Sequence, residues 1–214
     1  MKDLIDELQT VRRTVGDATL PGGDAKVVAL ERTYPAEPED VWDAITTPER
    51  VARWFLPVTG DLRLGGTYQL EGNAGGEIRA CEPPRRLLLT WIFGEPPGPE
   101  DSSLVEVVLD PDGDGGTRLT LTHTAVVPPE FWGQFGPGAV GVGWDLSLVG
   151  LGAHLAGEVL GTQAEMEADP AVRDGMRASS EAWGEAYRAA GADPATAGAT
   201  TAATTAAYVP PLEE

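Results

Sequence analysis

Residues 117–160 read TRLTLTHTAVVPPEFWGQFGPGAVGVGWDLSLVGLGAHLAGEVL. At the start of this stretch Leu119, Leu121 and His123 alternate with threonines, which is typical of a strand with one apolar face. From residue 141 onward the apolar residues recur at helical spacing instead. A half-buried strand followed by a long apolar helix predicts a sheet that packs against that helix.

The predicted helix spans residues 141–160 and is apolar on two sides. One stripe consists of Trp144, Leu148, Leu151, Leu155 and Val159. The nearly opposite stripe consists of Leu146, Val149, Ala153, Ala156 and Leu160. We expect one side to face the sheet and the other to face helices from the chain termini. The helix glycines Gly150, Gly152 and Gly157 indicate a close approach of a backbone or a ligand, and packing of the terminal helices is the favoured explanation.

Upstream of this helix, short β-prone runs alternate with turn clusters. The runs are residues 62–64, 67–71, 77–81, 86–93, 103–109 and 117–124. The breaks between them, such as the Gly65-Gly66 pair and residues 94–101, are too short to hold crossover helices. The runs are therefore predicted to form an antiparallel meander. Residues 125–140, which follow it, are predicted to be a loop.

Helices and one more strand are predicted on either side of the meander. Residues 1–15 have helical spacing, and residues 26–34 are rich in strand formers. Residues 39–47 and 48–55 predict two short helices, the second of which begins with a proline. After the long helix, residues 171–190 and 195–207 predict two further helices, and Asp193 is the expected N-cap of the second.

Composition limits the function classes. The 214 residues suit one domain with appendages. The net charge of −19 argues against nucleic acid and against an anionic membrane surface as partners. One cysteine and two histidines exclude an intrachain disulfide and make a Cys/His zinc site unexpected. We expect neither metal nor cofactor, no membrane insertion and a cytoplasmic location.

Four segments carry a resemblance to a known family. They are residues 36–46 (AEPEDVWDAIT) with Trp54, residues 61–68 (DLRLGGTY), residues 83–87 (PPRRL) with Thr90-Trp91, and residues 116–123 (GTRLTLTH). In this order they resemble the START-like superfamily (SRPBCC), in the branch related to the activator of heat-shock-protein ATPase. The resemblance implies an α+β helix-grip fold, in which a curved antiparallel sheet wraps around a long C-terminal helix. On this basis residues 1–24 are a helical extension, residues 25–161 are the helix-grip domain, and residues 162–214 are a second helical extension.

The resemblance also implies a set of functions. Superfamily members bind lipids, hormones and polyketides, some cyclise polyketides, some assist chaperones, and a few protect producers of reactive natural products. We expect this chain to bind an apolar or aromatic small molecule, lipid- or polyketide-like, in the cleft between sheet and helix, without chemistry. A polyketide cyclase or aromatase and a chaperone ATPase cofactor are the alternatives.

The expected ligand-binding residues come from the sheet, the second short helix, the loop and the long helix. They are Trp54, Phe55, Tyr68, Leu89, Trp91, Val107, Leu121, His123, Phe131, Trp132, Phe135, Trp144, Leu148, Leu151 and Leu155. Phe131, Trp132 and Phe135 are expected to form a lip of the cleft. An enzyme would need His123, Tyr68 or Asp145 as its acid or base, although a core role is the favoured interpretation of His123.

Two questions stay open at the level of sequence. The first is whether the cleft is open or filled, since a cavity below about 300 Å³ would count against small-molecule binding. The second is whether the protein is a monomer or a homodimer. Trp183 and Tyr187 can pack on the long helix of their own chain or of a second copy, and packing within the chain is preferred.

Overall fold

The computed structural model describes residues 4–94, 102–113, 115–159, 161 and 163–211. In this part of the chain a sheet surrounds a long central helix. Within this part of the chain the strands are β1 (Arg12–Leu20), β2 (Gly23–Tyr34), β3 (Val58–Gly60), β4 (Thr67–Leu70), β5 (Gly75–Glu82), β6 (Arg86–Thr90), β7 (Ser103–Asp112) and β8 (Gly116–Ala125). The helices are α1 (Leu4–Gln9), α2 (Pro38–Thr46), α3 (Pro48–Val51), α4 (Pro129–Phe135), α5 (Gly138–Leu155), α6 (Gln163–Ala168), α7 (Pro170–Ala189) and α8 (Pro194–Tyr208).

The strands form one antiparallel sheet in the order β1-β2-β8-β7-β6-β5-β4-β3. The alternation predicted around residue 120 is present, because Leu119, Leu121 and His123 of β8 are all buried. The sheet curves around α5, as the resemblance implied, so the predicted α+β helix-grip fold is confirmed.

Helix α5 is covered on two sides, but it ends at Leu155, so Val159 of the first predicted stripe and Ala156 of the second lie beyond it and are exposed. Trp144, Leu148 and Leu151 belong to the main core with the sheet. On the other side α7 packs so closely that a Cβ on Gly141 would lie 2.3 Å from the Trp183 ring. The tail therefore packs on the long helix of its own chain.

The explanation offered for Gly152 and Gly157 is wrong, and that for Gly150 stays a prediction. Gly152 faces the Arg32 guanidinium and the Tyr34 ring of β2 rather than the tail. Gly157 lies beyond the end of α5 and has a φ of +77°, which only glycine adopts readily. The close approach of the tail to α5 occurs at Gly141 instead.

The N-terminal segment differs from its prediction. The helix expected over residues 1–15 ends at Gln9, and Arg12–Leu20 pairs with β2 as an edge strand. The spacing of Leu8, Val11 and Val15 fits a helix, but Val11 packs on the core from the residue before β1 and Val15 from β1 itself. The division of the chain into residues 1–24, 25–161 and 162–214 stays a prediction, although the sheet begins before residue 25.

Two shorter segments also differ. Residues 62–64, predicted as a strand, form a turn, and the short strand at this edge is Val58–Gly60. Residues 125–140, predicted as a loop, contain α4 and the first turn of α5. The expected break at residues 95–101 and the expected helix end at Leu160 lie outside the described residues.

The tail helices begin at side-chain caps. Asp169 accepts a hydrogen bond from the Ala171 amide at the start of α7 (2.8 Å). Asp193 accepts hydrogen bonds from the amides of Ala195 (3.1 Å) and Thr196 (3.0 Å), so the predicted N-cap of α8 is confirmed.

Candidate functional site

A cavity of about 180 Å³ lies between the concave face of the sheet, α5 and the α2–α3 segment. Helix α5 contributes Trp144, Leu148 and Leu151. The sheet contributes mainly aliphatic side chains, namely Leu70, Ile78, Leu87, Leu89, Val105, Val107, Leu119 and Leu121, together with Tyr68. Trp91, just after β6, and the residues Ile45, Val51, Trp54, Phe55 and Val58 of the α2–α3 side complete most of the wall.

Ten of the expected ligand-binding residues, Trp54, Phe55, Tyr68, Leu89, Trp91, Val107, Leu121, Trp144, Leu148 and Leu151, line this cavity. Their role in binding stays a prediction. Sequence reasoning did not select Ile45, Leu62, Arg63 or Cys81, which also line it. The amphipathic pattern of α2 was a usable signal for Ile45, whereas the other three lie in or beside irregular backbone.

The three aromatic residues expected at the lip lie elsewhere. They belong to α4, which packs mainly against α8 rather than against the mouth. Trp132 donates a hydrogen bond from Nε1 to the Tyr187 hydroxyl (3.0 Å), and its ring lies 5.4 Å from Lys26 Nζ. Phe131 and Phe135 pack on each other, with ring centroids 5.1 Å apart. The error arose because a segment rich in Pro and Gly was interpreted as a loop, whereas its aromatics form one face of a short helix.

Leu155 also lies outside the cavity lining. It is the last residue of α5 and packs against the edge of the main core. The helical stripe that predicted it extends beyond the cavity, which reaches only as far as Leu151.

His123 lies behind the wall rather than in it. The indole Nε1–H of Trp144 donates to His123 Nδ1 (3.2 Å), and Ser103 Oγ is 2.9 Å from His123 Nε2. Because an indole nitrogen can only donate, Nδ1 must accept, and the proton of the neutral ring is on Nε2. His123 is therefore not among the residues that line the cavity and lies behind Trp144 and Trp91, and its expected ligand contact stays a prediction.

Burial keeps His123 neutral. Desolvation lowers the pKa of its imidazole from 6.5 to about 4. The ring packs edge-on against Trp91 and Trp144, with centroids 6.4 Å and 6.0 Å away. The favoured interpretation, a core histidine with satisfied hydrogen bonds, agrees with this geometry, except that its partners are side chains.

The other two acid or base candidates are also engaged. Tyr68 donates from its hydroxyl to the Thr90 carbonyl (2.7 Å), and burial raises the pKa of that hydroxyl. Asp145 points to the opposite side of α5, where Oδ2 accepts from Arg13 Nε (2.9 Å) and Trp183 Nε1 (3.0 Å). Burial raises the pKa of Asp145, and the Arg13 ion pair opposes that shift. Neither side chain presents a free acid or base to the cavity.

A β-bulge brings Cys81 to the mouth. Ile78 of β5 lies opposite Leu89, and after a register shift Cys81 lies opposite Leu87. Without the bulge, residues three apart in a strand would face opposite sides of the sheet. Both side chains consequently point into the cavity, and Cys81 is an exposed free thiol at its rim.

Leu62 and Arg63 form the other part of the mouth. Both are exposed and both line the cavity. Arg63 Nε pairs with the two carboxylate oxygens of Asp61 (2.8 and 3.0 Å) in a solvated ion pair. Leu87, Leu89 and Val107 point inward from the sheet yet are only half-buried, so the cavity is open to solvent on this side.

The interior wall offers few polar atoms. The hydrogen-bonding groups of Tyr68 and Trp144 are paired within the protein, and Trp54 Nε1 donates to the Ala44 carbonyl (3.0 Å). In the part of the chain that the structure describes, no three His, Cys, Asp or Glu side chains lie together in a metal-binding arrangement. Such a site can hold an apolar group and has no means of anchoring a charged one in its interior.

Comparison with known proteins assigns the chain to a protein family. A family model for the activator of Hsp90 ATPase homolog 1-like proteins matches residues 35–156, which include most of the cavity wall. The chain belongs to this family. The resemblance inferred from the four sequence segments is therefore confirmed. Among the helices of the described residues, none is both long and apolar enough to cross a membrane.

Solved structures of family-like proteins support the fold. The crystal structure of CalU16 from Micromonospora echinospora is 35% identical, with a TM-score of 0.68, and the match covers 83% of this chain and 98% of CalU16. DynU16, a protein of the dynemicin biosynthetic locus, is 26% identical with a TM-score of 0.54, covering 62% of this chain and 48% of DynU16. MLL2253 from Mesorhizobium loti, 23% identical with a TM-score of 0.52, covers 63% of this chain and 99% of its own, and shares the fold. No curated protein matches the sequence.

Proposed function

We propose that this family member binds a small apolar molecule, or the apolar part of a larger one, between the sheet and α5, and does not react with it. The observation that carries the proposal is an open cavity whose interior wall is almost wholly carbon. A filled core would contain no void much larger than a water molecule. The cavity of about 180 Å³ exceeds that by a wide margin.

The cavity volume limits what can enter. Pockets for drug-sized ligands have volumes of roughly 300–1,000 Å³. At about 180 Å³ this cavity falls below the limit of about 300 Å³ set from the sequence, which counts against the binding of a whole lipid or a multi-ring polyketide. The part of the ligand that is buried is therefore small, and any larger remainder lies outside the mouth at Leu62, Arg63 and Cys81.

We propose binding without a reaction because none of the candidate acid or base side chains is available to a ligand in the cavity. Enolisation or cyclisation needs a proton donor or acceptor within hydrogen-bond reach of the substrate. His123 is screened by Trp144, Tyr68 is paired with Thr90, and Asp145 faces the tail. The geometry therefore favours a carrier or sequestering role over a cyclase.

The relatives supply a context for the ligand. DynU16 belongs to a locus for natural-product biosynthesis, and this chain resembles it over 62% of its length. A product or precursor of secondary metabolism is consequently a reasonable source of the apolar group.

A matched pair of variants tests the proposal. Leu89 points into the cavity from β6, whereas its neighbour Leu88 points to the outer face of the sheet. Leu89→Trp narrows the cavity, and Leu88→Trp adds the same side chain outside it. Native mass spectrometry is performed on each protein after incubation with a panel of apolar metabolites.

We expect one-to-one complexes with the unmodified protein and with Leu88→Trp, and weaker or absent complexes with Leu89→Trp. Circular dichroism shows whether both variants are folded. If no member of the panel binds, or if all three proteins bind equally, the cavity is not the binding site and the proposal is wrong.

A further inference from the structure

The cavity wall differs from one side to the other. The side formed by the α3 segment, α5 and the end of β6 is aromatic, with Trp54, Phe55, Trp91 and Trp144. The side formed by the strands is mainly branched aliphatic. A ligand in this space would therefore contact ring faces on one side and methyl groups on the other.

The rings on the aromatic side pack on one another, with Trp91 tilted by 55° to Trp144. Phe55 lies at the centre of the group, and its plane is 27° from that of Trp54 and 24° from that of Trp144. The ring centroids are 5.5 Å and 6.3 Å apart, within the range of favourable offset stacking. Trp91 lies against this group, 4.9 Å from Trp144. Because four aromatic side chains lie on this side of the cavity, a flat molecule can pack its face against a ring there, whereas a puckered or flexible molecule cannot.

The size of the cavity restricts that molecule further. An apolar protein cavity of roughly 150 Å³ stays dry and binds benzene. This cavity is slightly larger, at about 180 Å³. One aromatic ring, or two fused rings, is the group that fills it.

The polar groups of the interior wall also restrict which substituents the buried part of a ligand can carry. Tyr68, Trp54 and Trp144 each donate to a protein acceptor, at 2.7, 3.0 and 3.2 Å respectively. Among the described wall residues, the Trp91 indole N–H is a donor for which the structure shows no hydrogen bond. A hydroxyl or ketone on the buried end gains a partner only where it reaches that N–H, and elsewhere it loses its hydration without compensation. At the mouth, by contrast, Arg63 and Cys81 are in contact with water, so polar substituents can remain hydrated there.

We propose that the ligand class of this site is a planar aromatic group of one or two rings that enters with an unsubstituted edge first and keeps its polar substituents at the mouth. This inference rests on the proposed function and makes it more specific. It excludes a fatty acyl chain and a ring that is hydroxylated at its inner end.

Three probes with the same ten-carbon skeleton test the inference. Naphthalene is flat and apolar, decalin is its saturated and puckered equivalent, and naphthalene-1,5-diol carries a hydroxyl on each ring, so that either end entering first buries one. Affinity is measured by tryptophan fluorescence and checked by isothermal titration calorimetry. Leu89→Trp and Leu88→Trp serve again as the variant inside the cavity and its control.

We expect naphthalene to bind about three- to tenfold more tightly than decalin, because only a flat ring can pack face-on against an aromatic side chain of the wall. We expect the diol to bind about tenfold or more weakly than naphthalene. Leu89→Trp should weaken naphthalene binding by about tenfold or more, and Leu88→Trp should leave the affinity for naphthalene unchanged.

The outcomes separate the two proposals. If decalin or the diol binds as tightly as naphthalene and Leu89→Trp abolishes that binding, the cavity binds apolar molecules but the aromatic class is wrong. If none of the probes binds, or if Leu88→Trp and Leu89→Trp have the same effect, both proposals are wrong.

Discussion

The hydrogen bond between Trp144 and His123 makes the stability of the cavity wall depend on pH. His123 accepts the Trp144 Nε1–H on Nδ1, and Nε2 therefore carries the ring proton toward Ser103. Adding a second proton would place an N–H on Nδ1, facing another N–H. The charged imidazolium would also lose most of its hydration at this buried position.

The pKa of His123 gives the size and the sign of the effect. In the folded protein this pKa is lowered to about 4, and in the unfolded chain it returns to about 6.5. Between these values the unfolded chain binds a proton that the folded protein does not bind. The contribution to stability is therefore present above pH 6.5 and is lost as the pH falls through the range from 6.5 to 4. The shift corresponds to a loss of about 3 kcal/mol in the free energy of unfolding.

The assay is urea denaturation at several pH values between 7.5 and about 4.5, where acid unfolding by carboxylates is still incomplete. It compares the unmodified protein with His123→Gln. Glutamine can accept from Trp144 and donate to Ser103, but it does not titrate. His154→Gln is the matched control, because the chain has only two histidines. His154 is half-buried, and desolvation, followed by Arg50 and Arg53, also lowers its pKa, so this variant shows how much the second histidine adds to the slope. The carboxylates are common to all three proteins, so their contribution cancels in the differences.

We expect the unmodified protein to lose about 2–3 kcal/mol more than His123→Gln between pH 7 and pH 4.5, and His154→Gln to lose slightly less than the unmodified protein because the pKa of His154 is also lowered. The comparison uses the slope against pH, so a lower absolute stability of His123→Gln does not affect it. Equal slopes for all three proteins would refute the assigned tautomer and the effect of burial on this histidine.

Three further predictions concern the packing of the tail. Gly141→Ala should lower the free energy of unfolding by about 1–3 kcal/mol, because its Cβ would lie 2.3 Å from a buried indole ring, whereas Gly198→Ala, with nothing within 4 Å, should be neutral or stabilising. Asp145→Ala should cost about 3–5 kcal/mol in urea denaturation, because it leaves the guanidinium of Arg13 buried without its partner, and a smaller loss would show that water reaches the pair. Asp193→Ala should cost about 1 kcal/mol through loss of the α8 cap, and an unchanged midpoint would contradict that role.

Much of the fold could be predicted because several local patterns agree with the tertiary structure. The threonine alternation in β8 sets the inward face of one strand, and the two apolar stripes of α5 require cover on both sides. The first strand could not be predicted in the same way. Residues 12–20 lie at the edge of the sheet, where only one face needs apolar residues and the other is free to vary. Their weak alternation was outweighed by a helical spacing that begins in α1.

The sequence was enough to predict which strand side chains face the inside of the sheet, but not which of them reach the cavity. Alternation correctly placed Leu89, Leu121 and His123 on the inner face. It could not show that Trp144 lies between His123 and the cavity, because that depends on how α5 is rotated about its axis. It also could not place Cys81, since the bulge that turns this residue inward leaves no sign in the composition of β5.

The rotation of α5 is set by two consecutive residues that face opposite environments. Trp144 points to the cavity and bonds to His123, whereas Asp145 points to the tail and bonds to Arg13 and Trp183. A buried carboxylate is tolerated only where its charge is paired, so α5 cannot turn without leaving the Asp145 charge unpaired. The same constraint holds the Trp144 ring in place against the cavity. Strand β1 and the tail helix α7 therefore help to determine the shape of a cavity that they do not line.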